Sequence, residues 1–78
     1  MNNDICFQNF CHNFRYIRKQ NNLTQIAFAQ RLRISTDYVR RLEKDEIPPR
    51  LRADILFDMS RQFGVPMDTL LHTRLDGE

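Results

Sequence analysis

The chain has 78 residues, room for one domain at most, and 41% of them are hydrophobic, which excludes a disordered polymer. No apolar run approaches the ~20 residues of a membrane span, and no basic start with an apolar stretch marks a secretory signal, so a soluble, cytoplasmic protein with no membrane partner is expected. The net charge of +2 is unevenly spread: from Arg15 to Arg52 ten basic against four acidic residues give +6, while two basic against six acidic elsewhere give −4. A basic middle between acidic ends can attract a polyanion on one face.

Apolar residues recur at helical spacing along the whole chain. Phe7, Phe10, Phe14 and Ile17 lie at i, i+3, i+7 and i+10, which predicts one buried face on a first helix. Asn21-Asn22 ends it, since Asn tolerates left-handed backbone. Thr24 then caps a second helix, flanked by Leu23 before it and Phe28 at the fourth helical position. Ser35 repeats the pattern with Ile34 and Val39, eleven residues later. Two short helices with a tight turn near Arg33 are therefore predicted. Pro48-Pro49 interrupts the chain. A fourth helix is expected from Arg50 or Leu51 to Phe63, with Leu56, Met59, Ser60 and Phe63 facing inward and Gly64 closing it. A fifth, Met67 to His72, carries Leu70 and Leu71. The result is an all-α, compact five-helix domain over residues 1–78, with its core in 7–72 and flexible tails at 1–4 and 73–78.

Helices two and three form a helix-turn-helix. On the third, Val39, Leu42 and Glu43 turn toward the domain, while Thr36, Asp37, Arg40, Arg41 and Lys44 make a polar stripe on the other side. A major groove admits one α-helix, and such a stripe offers donors and acceptors to base edges, so double-stranded DNA is the expected partner.

Other chemistries lack their parts. Cys6 and Cys11 read as two reduced thiols rather than a disulfide framework. With His12 and His72 they do not make the spacing of a zinc site, so no metal and no cofactor is expected. There is no Gly-rich phosphate loop, nucleophile elbow or cluster of His and carboxylates, hence no enzyme and no small-molecule substrate.

The run Leu23-Thr24-Gln25-Ile26-Ala27-Phe28-Ala29-Gln30-Arg31-Leu32, followed by Ile34-Ser35, Val39 and Leu42-Glu43, resembles the lambda-repressor-like, Cro/Xre-type helix-turn-helix family. The resemblance reaches up to Arg18 and down through Phe63-Gly64-Val65 and Asp68-Thr69-Leu70-Leu71, covering residues 10–71. It implies a bacterial or phage transcriptional regulator, more often a repressor. It implies that Gln25 contacts a phosphate and braces the third helix, and that Thr24 caps the second helix beside the same phosphate. It places Thr36, Asp37 and Arg41 at base edges, with Arg40 alongside. It also pairs Arg18 with Glu43 as a buried structural ion pair. Three departures stand out. Arg33 replaces the usual Gly of the turn, Lys44-Asp45-Glu46 replaces the Gly that often follows the third helix, and Pro66 replaces a common Ser cap. The loop between Asp45 and Ala53 is also longer than usual.

Residue chemistry refines these roles. Arg40 or Arg41 suits a bidentate contact to guanine O6 and N7, worth ~1–3 kcal/mol of discrimination. Asp37 either accepts from a cytosine N4 amine or orients Arg40 or Arg41. Tyr38 either donates to a phosphate or packs against the first helix. Arg33, Lys19, Lys44, Arg50 and Arg52 are candidate phosphate contacts, which set affinity and salt dependence rather than sequence preference. A homodimer spanning two half-sites ~34 Å apart would gain specificity; Ile55, Phe57, Met67 and Leu70 are each either an interface residue or simply core. The alternative is a protein-interaction module, or an antitoxin whose protein partner sits on Met67, Leu70, Leu71 and Leu75.

Overall fold

A computed structural model describes residues 3–46 and 53–75. They form α1 (Asn3–Gln20), α2 (Gln25–Leu32), α3 (Thr36–Glu43), α4 (Ala53–Phe63) and α5 (Met67–His72), with no strand among the described residues. Pro48-Pro49 and the expected start of α4 at Arg50 or Leu51 lie outside them.

The core draws on every helix. Phe10, Phe14 and Ile17 of α1 meet Phe28, Ala29 and Leu32 of α2, Val39 and Leu42 of α3, Ile55 and Met59 of α4, and Leu70 of α5. Phe7 and Leu56 pack at its margin. A row of tilted rings runs through the centre: Phe10 to Phe14 at 5.8 Å, Phe14 to Phe28 at 4.8 Å, and Phe28 to Phe63 at 5.8 Å between centroids. Such tilted contacts add to the area buried, because ring edges meet ring faces. Two proposed interface residues are core instead. Ile55 and Leu70 are almost wholly buried, Ile55 because it shares one face of α4 with Met59 at i+4.

The two side-chain caps form at the expected places. Thr24 Oγ1 accepts from the Ala27 amide at 3.0 Å, and Ser35 Oγ from the Tyr38 amide at 3.0 Å. Pro66, before α5, makes no such bond. The C-terminal ends of α1, α2 and α3 share a device: one left-handed residue, then a backbone bond reaching back five residues. Asn22 (φ 57°), Arg33 (φ 59°) and Asp45 (φ 60°) take the left-handed position. The amides of Leu23, Ile34 and Glu46 then donate to the carbonyls of Arg18 (3.1 Å), Ala29 (3.0 Å) and Arg41 (2.9 Å). Asp45 thus takes the place of the glycine that often follows the third helix, and Arg33 that of the turn glycine.

Parts of the stretches expected as tails are described, Asn3 within α1 and Thr73–Leu75 beside it. No proline or glycine interrupts the chain upstream of Phe7, and α1 begins at Asn3. At the other end, the fully buried amide of Asn13 holds Thr73–Leu75 against α1. Asn13 Nδ2 donates to the carbonyls of Leu70 (2.9 Å) and Thr73 (2.7 Å), and its Oδ1 accepts from the Leu75 amide (2.9 Å).

Candidate nucleic-acid interface

α3 is amphipathic in the strict sense: Val39, Leu42 and Glu43 are buried, while Asp37, Arg40 and Lys44 are exposed and Thr36 and Arg41 half-buried. The outer stripe carries an internal pair. Arg41 Nε donates to Asp37 Oδ2 at 2.8 Å across one helical turn. That hydrogen bond holds the Asp37 carboxyl below its ordinary range, and the positive charges of Arg40 and Lys44 act in the same direction. The same bond raises the Arg41 guanidinium above its ordinary value. Tyr38 is half-buried and packs on the core.

The inner side of α3 is fastened through one carboxylate. Glu43 receives Arg18 Nε at 2.5 Å on Oε2, with Arg18 Nη2 at 3.0 Å and Gln25 Nε2 at 3.1 Å on Oε1. Its backbone carbonyl accepts from Arg15 Nη1 at 2.6 Å. Arg18 Nη1 also donates to the Leu23 carbonyl at 2.9 Å, so the same guanidinium holds the α1–α2 turn. Two arginines of α1 and the first residue of α2 therefore set the position of α3. A buried carboxylate with three donors keeps its charge compensated, and its geometry is fixed by the fork of Arg18.

The remaining candidates are distributed around this pair of helices. Thr24 is exposed and Gln25 half-buried at the start of α2, Arg33 is exposed in the α2–α3 turn, and Lys19 is exposed near the end of α1. Arg50 and Arg52 lie outside the described residues. Arg31, although exposed, is occupied: its Nε donates to Gln62 Oε1 at 3.3 Å, its carbonyl accepts from Gln62 Nε2 at 3.0 Å, and its guanidinium lies 5.3 Å from the Phe63 ring centroid. It pins α2 to α4.

Sequence reasoning missed Asn13 and Arg15. Asn13 had a visible signal, a polar residue at a position inside the Phe10–Phe14–Ile17 face. Arg15 had none, because its acceptor lies 28 residues away. Among the thiols, Cys11 is fully buried, and Cys6 Sγ lies 3.9 Å from His72 Nδ1. Among the described residues no three potential ligands gather for a metal ion.

The family model for helix-turn-helix proteins matches residues 14–70, which include all of α2, α3 and α4. The chain belongs to the Cro/C1-type helix-turn-helix family. This helix-turn-helix protein therefore has a lambda-repressor-like fold and is a DNA-binding regulator, from a family of generally non-enzymatic domains. No curated protein and no solved structure gave a match. Among the described residues of the helix-turn-helix protein, no helix is long and apolar enough to cross a membrane.

Proposed function

We propose that this helix-turn-helix protein is a sequence-specific transcriptional repressor of cytoplasmic DNA that reads the major groove with α3. The observation that carries the reading is the two-sided build of α3: a polar stripe of Thr36, Asp37, Arg40 and Arg41 outside, and Glu43 anchored by Arg18 and Gln25 inside. A helix held rigidly from behind presents its outer side chains with little freedom left to lose on binding. Thr36, Asp37, Arg40 and Arg41 are the base-reading residues. Thr24, Gln25, Arg33, Tyr38 and Lys44, with Arg50 and Arg52, contact phosphates and set affinity.

The protein acts as a homodimer on a two-fold operator. Phe57 of α4 and Met67 of α5 support this, being large apolar side chains that are 56% and 41% exposed. They are the two of the four proposed interface residues that the core does not absorb. Sedimentation showing only monomer at tens of micromolar, with and without operator, would remove the dimer from the proposal.

Selection of bound sequences from a random duplex library, at two salt concentrations and with an Arg41→Ala variant, tests the reading. A defined motif that relaxes at one base position in the variant supports direct readout by α3. Enrichment of nothing, with binding that fades uniformly as salt rises, overturns it in favour of a protein-interaction or antitoxin role.

A further inference from the structure

Asp37 is an anomaly on a surface that meets a polyanion. It lies on the outer stripe of α3, and its negative charge opposes every phosphate nearby. A residue that served affinity alone would be neutral or basic there. Its contact with Arg41 supplies a different purpose. The bond joins Asp37 Oδ2 to Arg41 Nε, so it consumes neither Nη group of the guanidinium. Arginine can approach guanine O6 and N7 with two parallel donors, either side-on through Nε and one Nη or end-on through both Nη groups. With Nε engaged by Asp37, the side-on approach is closed and the end-on approach is held ready.

We propose that Asp37 is the specificity-determining residue of α3, locking Arg41 for end-on recognition of one guanine and rejecting DNA that turns an acceptor toward the carboxylate. The proposal rests on the reading of α3 as the base-reading helix. A carboxylate can only accept. The bond to Arg41 uses Oδ2, so Oδ1 keeps acceptor capacity for a second donor. Cytosine N4 and adenine N6 offer donors in the major groove, whereas guanine O6 and N7 and thymine O4 offer acceptors. A guanine or thymine edge turned toward Asp37 leaves the carboxylate facing like partial charge. Unrelated DNA is disfavoured twice, once at that base and once through the phosphates. Arg40 and Lys44 carry charges that bear on the same carboxyl group and keep it ionised. Thus Asp37 lowers affinity for all DNA and lowers it least for the correct site.

The test is a fluorescence-anisotropy titration of the wild type, Asp37→Asn, Asp37→Ala, Arg41→Ala and the Asp37→Asn/Arg41→Ala double variant. The duplexes are the site selected by the wild type, that site with each base pair under α3 replaced singly, and an unrelated duplex. Asp37 is exposed on the helix surface, and circular dichroism checks that each variant stays folded. Asp37→Asn is expected to bind the unrelated duplex more tightly and to cut the ratio of specific to unrelated affinity by about ten-fold, within the range for one base-reading contact. At the guanine read by Arg41, the double variant should lose no more discrimination than Arg41→Ala alone. Strictly additive losses, or a parallel fall of affinity for every duplex, would overturn the role given to Asp37. A wild type that discriminates while Asp37→Asn discriminates equally removes this role and leaves the DNA-reading proposal standing. A wild type that prefers no duplex removes both.

Discussion

Arg18 and Glu43 meet edge to edge, with Nε 2.5 Å from Oε2 and Nη2 3.0 Å from Oε1, and the two side chains are only 15% and 6% exposed. The contact spans 25 residues and ties α1 to the last turn of α3. Cutting the arginine back leaves the carboxylate with one side-chain donor, Gln25, in a site that water hardly reaches. Arg18→Ala is expected to cost ~3–5 kcal/mol, most of the stability of a domain this small. Urea unfolding measures it, with Arg18→Lys as a partner variant that keeps the charge but loses the fork. A loss below about 1 kcal/mol would mean that the pair is dispensable.

The neighbouring anchor is neutral, and its removal has a local signature. Asn13 uses both amide protons and its carbonyl oxygen to hold Leu70, Thr73 and Leu75. Asn13→Ala strands these backbone groups around a buried gap and should cost about 1–3 kcal/mol. Hydrogen exchange separates this from a general loss: the Leu75 amide should lose protection well before the α2 and α3 amides do. Equal loosening of all helices would contradict the local role.

Much of this architecture is legible in the chain because the same two signals repeat. Apolar residues at helical spacing mark α1, and Thr24 and Ser35 mark the starts of α2 and α3 with hydroxyls that do cap them. The i,i+4 spacing also puts Asp37 within reach of Arg41, one of the two partners that the sequence left open. α4 is harder to read. Ile55, Leu56 and Phe57 are consecutive and apolar, so periodicity alone does not say which one is inside, and Ile55 is the buried one. Arg15 and Arg31 are illegible for another reason. A basic residue on a helix looks the same in the sequence whether it meets a phosphate, a distant carbonyl or a ring, and the partners here lie 28 and 31 residues away. Asn13 lies between these cases, visible as an oddity on an apolar face, with acceptors that only the folded chain supplies.

Arg33 carries a conflict between folding and the proposed binding. At φ 59° and ψ 44° it occupies a left-handed position that costs a side-chain-bearing residue roughly 1–2 kcal/mol. Asn22 holds the corresponding place after α1 with a residue type that tolerates it. Arg33→Gly should therefore raise stability by about 0.5–1 kcal/mol, the gain being reduced by the looser unfolded chain. The same variant should bind DNA more weakly, and with a salt slope smaller by about one, if Arg33 neutralises a phosphate. Thermal unfolding and a salt titration check the two halves separately. A variant that is both less stable and unchanged in DNA affinity would contradict both.

Cys11 links the core to pH. Burial, with a smaller contribution from the negative charge of Asp45, pushes its thiol up to about 12, although Arg15 pulls the other way. In the unfolded chain the thiol titrates near about 8.5. Below that value both states hold the proton, and the thiol contributes no pH dependence. Above it the unfolded chain releases the proton while the native protein keeps it, so stability falls as pH rises from about 8.5 toward about 12. Other groups titrate in this window, so the measurement must be a difference. The stability advantage of the wild type over Cys11→Ala should shrink between about pH 8 and about pH 10.5. An aromatic disulfide reagent gives an independent reading near neutral pH. Cys6, half-buried at the surface, should react in the native protein, and Cys11 only as the protein unfolds. Two thiols reacting at one rate under native conditions, or an advantage that stays constant with pH, would show that the thiol does not titrate as a buried group.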